Sequence, residues 1–189
     1  MALRSYCRHG VCVSSRIIRL SVALAALAAT GLFAASAPAT SSSETGLQAL
    51  NRQLLAAVNQ FRVAHHLVPL RESARLDSSA REHSLQMGKL GYFAHPSANG
   101  TSFWRRIQHY YSSRNSSYWS VGENLLWASP TVGAAHAMKM WIASPEHLRN
   151  LLTRQWRQIG VSAVHVVRAP GVFHGLRVTI ITTDFGVRR

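Results

Sequence analysis

Cysteine is nearly missing from this 189-residue chain: the two present, Cys7 and Cys12, both fall in the first dozen positions. Beyond them no disulfide, thiolate nucleophile or cysteine-ligated metal is possible. A domain of about 150 residues buries enough apolar surface to fold without such staples. Acidic residues are also few, seven against 21 Lys and Arg. A glycosidase built on two carboxylates therefore has little to draw on. No G-x-S-x-G elbow, H-E-x-x-H pair or Gly-rich phosphate loop occurs, which argues against serine-elbow hydrolases, zincins and P-loop enzymes. A serine–histidine pair assembled in space from Ser84, Ser97 or Ser144 stays open. Long hydrophobic runs are missing too. The longest, residues 20–35, is short of the roughly 20 that a membrane-spanning helix needs.

That run has a different use. Arg4, Arg8, Arg16 and Arg19 precede it and Ala37-Pro38-Ala39 follows it. This is the basic, apolar and small-residue order of a secretory signal peptide, expected to cover residues 1–39 and to be cleaved before Thr40. Both cysteines leave with it, and no transmembrane segment remains in the mature chain. Seventeen of the Lys and Arg and all seven acidic residues lie beyond residue 39, a net charge of +10. A secreted protein this basic is expected to meet polyanions: cell-wall polymer, acidic lipid or another polyanion. It carries no motif for sequence-specific nucleic acid recognition. A monomer is the expectation.

Residues 40–46 read as a flexible leader and 47–189 as one domain. Leu47, Leu50, Leu54, Val58 and Phe61 recur at helical spacing, so a first helix is expected over 47–66. A second is expected over 73–90, with Leu76, Ala80, His83, Met87 and Leu90 on one face and Gly91 as its stop. A loop at 92–100 holds His95, and a third helical stretch covers 102–110. Ser129-Pro130 and Ser144-Pro145 each pair an N-cap with a proline at the first helical position. They predict helices over 130–143 and 145–153. Residues 158–168 and 172–185 alternate like strands around Ala169-Pro170-Gly171. Helices first and a hairpin last mark an α+β fold.

Three polar residues stand among turn-forming neighbours: His95, Glu123 and His147. Two imidazoles and a carboxylate can serve as zinc ligands with a position left for water. They can equally serve as a hydrogen-bonded tie between loops. His147, third residue of a short helix, sits at the positive end of its dipole, which favours the neutral ring. His83, Ser144 and Glu146 are further candidates for the same cleft. His83 lies on an apolar helix face and reads first as a bonded core histidine. His65 and His66 read as caps of helical carbonyls, and the five tryptophans mostly as core.

The motifs His83-Ser84-x-x-Met87, Tyr92-Phe93-x-His95, Gly122-Glu123-Asn124, Trp141-x-x-Ser144-Pro145-x-His147, Ile159-Gly160-Val161 and Phe185-Gly186 stand in this order. The set resembles the bacterial branch of the CAP superfamily, the cysteine-rich secretory, antigen 5 and pathogenesis-related 1 group. The resemblance implies a three-layer α-β-α sandwich with a central antiparallel sheet. It also implies a cleft holding His95, Glu123 and His147, which binds a divalent cation in some members. Where the eukaryotic pattern has a further glutamate, three residues after the tryptophan, this chain has Ser144. The implied metal ligands are therefore His95 and His147, a set expected to hold a cation such as zinc only weakly. Two functions follow as expectations. One is a secreted binding module for a lipid-like or cell-wall-derived ligand. The other is an extracellular hydrolase using His95, His147 and Glu123.

Overall fold

The structure is a computed structural model that describes residues 40–189. The expected signal peptide and its cleavage site lie outside the described residues. Its first helix, α1 (Thr40–Ala64), starts earlier than the apolar repeat. The stretch 40–46, expected as a flexible leader, is helical instead. Periodicity marks only the packed face, which begins at Leu47, and no proline stops the turns before it.

Helix α2 (Ala74–Leu90) buries Leu76, Ala80, His83 and Met87 on one face. Ser73 is its N-cap, and Gly91 ends it in the left-handed region at φ 74°. Ahead of it lies β1 (Arg71–Glu72), a two-residue strand that the sequence did not suggest. Next come α3 (Phe103–Tyr110), β2 (Trp119–Ala128), α4 (Ala134–Ala143), α5 (Pro145–Leu152), β3 (Gln158–Val166) and β4 (Val178–Arg188). Two expectations shift. The helix expected from Pro130 begins at Ala134 with Gly133 as N-cap, because Val132 is drawn into the core as part of the incoming segment. Residues 172–177 are not strand: Gly171–Phe173 is a single 3-10 turn that buries Phe173.

The sheet order is β1-β3-β4-β2. β4 runs antiparallel to both neighbours, and only the short β1–β3 pair is parallel. Alternation along the strands divides two cores, as the period of two demands. Ile159, Val161, Ala163, Leu126, Ile181 and Phe185 pack with Leu54, Val58, Trp141 and Leu151 of α1, α4 and α5. On the other face Leu125, Val164, Val178 and Ile180 pack with Met87 of α2. Leu76, Ile107 and Tyr111 extend that layer under α3. The result is the expected three-layer α-β-α sandwich. Gly160 makes the α2 face possible: a Cβ there would lie 2.1 Å from the Leu76 backbone carbon. Only glycine lets helix and strand approach this closely.

Candidate functional site

Glu123 sits mid-strand on β2, on the face that carries Leu125 and Trp127 toward α2. A charge so placed is costly unless its oxygens are bonded. Here both are. Oε1 accepts a hydrogen bond from His95 Nδ1 at 2.7 Å. Oε2 pairs with the Arg106 guanidinium, itself buried in α3. Arg106 also donates to the His95 carbonyl (3.1 Å) and to Ser97 Oγ (3.2 Å). One arginine therefore holds both the acid and the loop that presents His95.

His83 lies fully buried beside Glu123. Its Nε2 donates to the Ala94 carbonyl at 2.9 Å and lies 3.9 Å from Glu123 Oε2. That bond fixes the tautomer, leaving Nδ1 to accept from the Tyr92 hydroxyl across a long 3.5 Å. Burial lowers its pKa to about 4, the Glu123 carboxylate offsetting only part of the effect. The ring is neutral at physiological pH.

Directly across the β2–β4 ladder from Glu123 stands Asp184. It is fully buried, with Ser79 and Glu123 as polar neighbours, though neither completes a hydrogen bond to its carboxyl oxygens. Burial first, and the Glu123 charge second, raise its pKa well above the carboxylate range. The protonated carboxyl is therefore the favoured form.

Helix α5 reaches the same strand from the other layer. Asn124 Nδ2 donates to the His147 carbonyl (3.1 Å), while Asn150 Nδ2 donates to the Glu123 carbonyl (2.9 Å) and to Asn124 Oδ1 (2.8 Å). The half-buried His147 ring has a lowered pKa, from burial first and the neighbouring His95 second. The direction is the one expected from the helix dipole, but its causes are burial and His95. Ser144 is the N-cap of α5 and Glu146 is exposed; no hydrogen bond ties either to Glu123 or His95. His65 does bond a helical carbonyl, that of Phe61, at 2.8 Å.

The three residues fit a metal poorly. Glu123 has both oxygens engaged by Arg106 and His95, and His95 Nδ1 is taken by Glu123. Only the two remaining imidazole faces are left. Among the described residues no group of three His, Cys, Asp or Glu side chains is arranged to hold an ion. Cavities of about 410 and 550 Å³ open elsewhere, beside Asp77 and beside Arg105, and contain none of the three.

Arg106 and Asp184 were missed by sequence reasoning. Arg106 follows Phe103 by three positions and precedes Tyr110 by four, so helical spacing puts it on the packed face. Asp184 falls on the inward register with Ile180 and Thr182, where an acid has to find a partner or a proton.

The sequence profile described as the Cysteine-rich secretory protein family matches residues 55–169. No curated protein shows significant sequence similarity. Several solved structures share the fold. One is an extracellular protein containing an SCP domain from Bacillus anthracis, 24% identical with a TM-score of 0.61, covering 82% of this chain and 45% of its own. Another is an outer surface protein of Borrelia burgdorferi, 20% identical with a TM-score of 0.57, covering 73% of this chain and 92% of its own. A cysteine-rich secretory protein from Staphylococcus aureus is 14% identical with a TM-score of 0.51, covering 74% of this chain and 38% of its own. The chain thus spans less than half of the Bacillus and Staphylococcus proteins.

Proposed function

The chain belongs to the cysteine-rich secretory protein family, and we propose that it acts outside the cytoplasm as a binding module. Its ligand is lipid-like or derived from the cell wall and is held at His95 and His147. One observation carries this reading. Glu123 is buried and fixes the Nδ1 side of His95, while the imidazole itself is 48% exposed. A rigidly aimed ring with a free Nε2 is a ready hydrogen-bonding group that loses little freedom on binding. The location is supported by the leader pattern of residues 1–39 and by fold relatives named as extracellular and outer surface proteins. Among the described residues no helix is long and apolar enough to cross a membrane.

A hydrolase is the second reading, and one feature favours it. A carboxylate on Nδ1 leaves Nε2 as the basic nitrogen, the arrangement by which an acid orients a general base. Against it, among the described residues no serine hydroxyl is hydrogen-bonded to His95 or His147, and the metal that could supply activated water has too few ligands. Incubation of the protein with wall fragments and lipid extracts, scoring retention and product release together, decides between the two. Loss of binding to soluble wall fragments and monomeric lipid in His95→Ala, with no products from the parent, is expected. Products that disappear with His95 would establish the hydrolase.

A further inference from the structure

The end of α2 and the β3–β4 connection meet at Gly91 and Gly171. Val172 N–H donates to the Gly91 carbonyl at 3.0 Å, and a Cβ on Gly171 would lie 2.0 Å from that same oxygen. Around this junction Leu90, Val167, Val172 and Leu176 are 56, 61, 46 and 45% exposed. Lys89, Arg168 and Arg177 are exposed beside them. No acidic residue occurs between 83 and 122 or between 147 and 183. Aliphatic side chains ringed by cations, with no acid among them, are an unusual combination for solvent to face alone.

The exposure does not come from a loose loop. Ala169 and Phe173 are fully buried beneath it, and Phe173 meets Trp127 edge to face at 5.2 Å. Ala169 N–H donates to the Leu176 carbonyl and Gly175 N–H to the Ala169 carbonyl. Arg168 and His174 hold positive φ values of 58° and 54°, where glycine or asparagine would rest more easily. Arg168 therefore keeps a charged side chain at a position whose backbone disfavours it.

We propose that this surface docks the protein on an anionic lipid bilayer. The four aliphatic side chains enter the boundary between headgroups and acyl chains, and Lys89, Arg168 and Arg177 meet lipid phosphates. Charge complementarity selects this occupant. A glycan-binding surface would offer exposed aromatic rings, and among the described residues the exposed tryptophan and tyrosine, Trp104 and Tyr118, lie elsewhere. The loop from Gly91 runs on to His95, so docking would bring the histidine site toward the membrane.

Co-sedimentation with vesicles of equal phosphatidylglycerol and phosphatidylcholine, against phosphatidylcholine alone, tests this. The parent is expected to partition several-fold better to the anionic vesicles, and to release at 1 M salt as the screening length contracts to about 3 Å. Arg168→Gly, which suits the positive φ, should lower partitioning about fivefold. Arg52→Gln, on α1, should lower it markedly less. Val172→Ser with Leu176→Ser should weaken binding with an unchanged melting temperature. His95→Ala should bind vesicles like the parent, which separates this surface from the histidine site. Equal or absent partitioning to the two vesicles, equal losses for Arg168→Gly and Arg52→Gln, or loss of binding in His95→Ala would each overturn the proposal.

Discussion

Glu123 and Asp184 face each other across the β2–β4 ladder, both buried, and Asp184 has its pKa raised well above the carboxylate range. The asymmetry follows from their neighbours: Glu123 pairs directly with Arg106 and His95, and Asp184 pairs with neither. A protonated Asp184 makes the folded state hold a proton that the unfolded chain releases near pH 4. Stability contributed by Asp184 is therefore lost as pH rises above that value. Asp184→Asn keeps the shape and removes the titration. Urea unfolding should show the variant gaining on the parent between pH 4 and 8. A gap that stays constant with pH would mean that Asp184 ionises freely in the fold.

Among the described residues Arg106 is the only arginine or lysine paired with Glu123. Arg106→Met should cost about 3–5 kcal/mol, because it strands a buried carboxylate. Adding Glu123→Gln removes the stranded charge, so the double variant should recover part of that loss. Denaturant melts on the two single variants and the double variant form a cycle that measures the coupling. Additive losses would show that the two side chains do not act on each other.

His83 contributes with the opposite pH sign to Asp184. Its folded value is about 4, against an ordinary value near 6.5. As pH falls through that window the unfolded chain takes up a proton that the folded ring refuses, removing about 3 kcal/mol. His83→Gln should flatten this acid limb relative to the parent. The comparison has to be made variant against parent. Asp77, whose pKa is raised to about 6 chiefly by burial, contributes the reverse slope in the same window and hides the effect in the parent alone.

Two glycines give a sharp contrast. Gly160→Ala drives a methyl into the Leu76 and Asp77 backbone. It should destabilise by at least the 1–3 kcal/mol typical of overpacking, about 2 or more here. Gly46 lies in α1, and a methyl added there would have nothing within 4 Å. Gly46→Ala should instead stabilise by about 0.5–1 kcal/mol. Thermal melts of the two proteins should move in opposite directions.

The elements that declare themselves in sequence are those with local punctuation. Helix α2 has its apolar face, its N-cap Ser73 and its stop Gly91 in plain view, and Ser144-Pro145 does the same for α5. His95, Glu123 and His147 were visible as polar residues among turn formers. Arg106 and Asp184 were not, because a lone charge reads as solvated until strand register places it beside another. The same limit explains β1, which exists only because β3 offers it two residues of parallel pairing. It also explains 172–177, where burial of Phe173 overrides the strand-like alternation.

The central claim is that Glu123 holds His95 by Nδ1 and leaves Nε2 for a ligand. Nitrogen-15 NMR of the imidazoles, at a pH where His95 is neutral, reads this directly. The expected result is the Nδ1–H tautomer for His95, with a strongly hydrogen-bonded proton that disappears in Glu123→Gln. An Nε2–H tautomer for His95 in the parent would contradict the account.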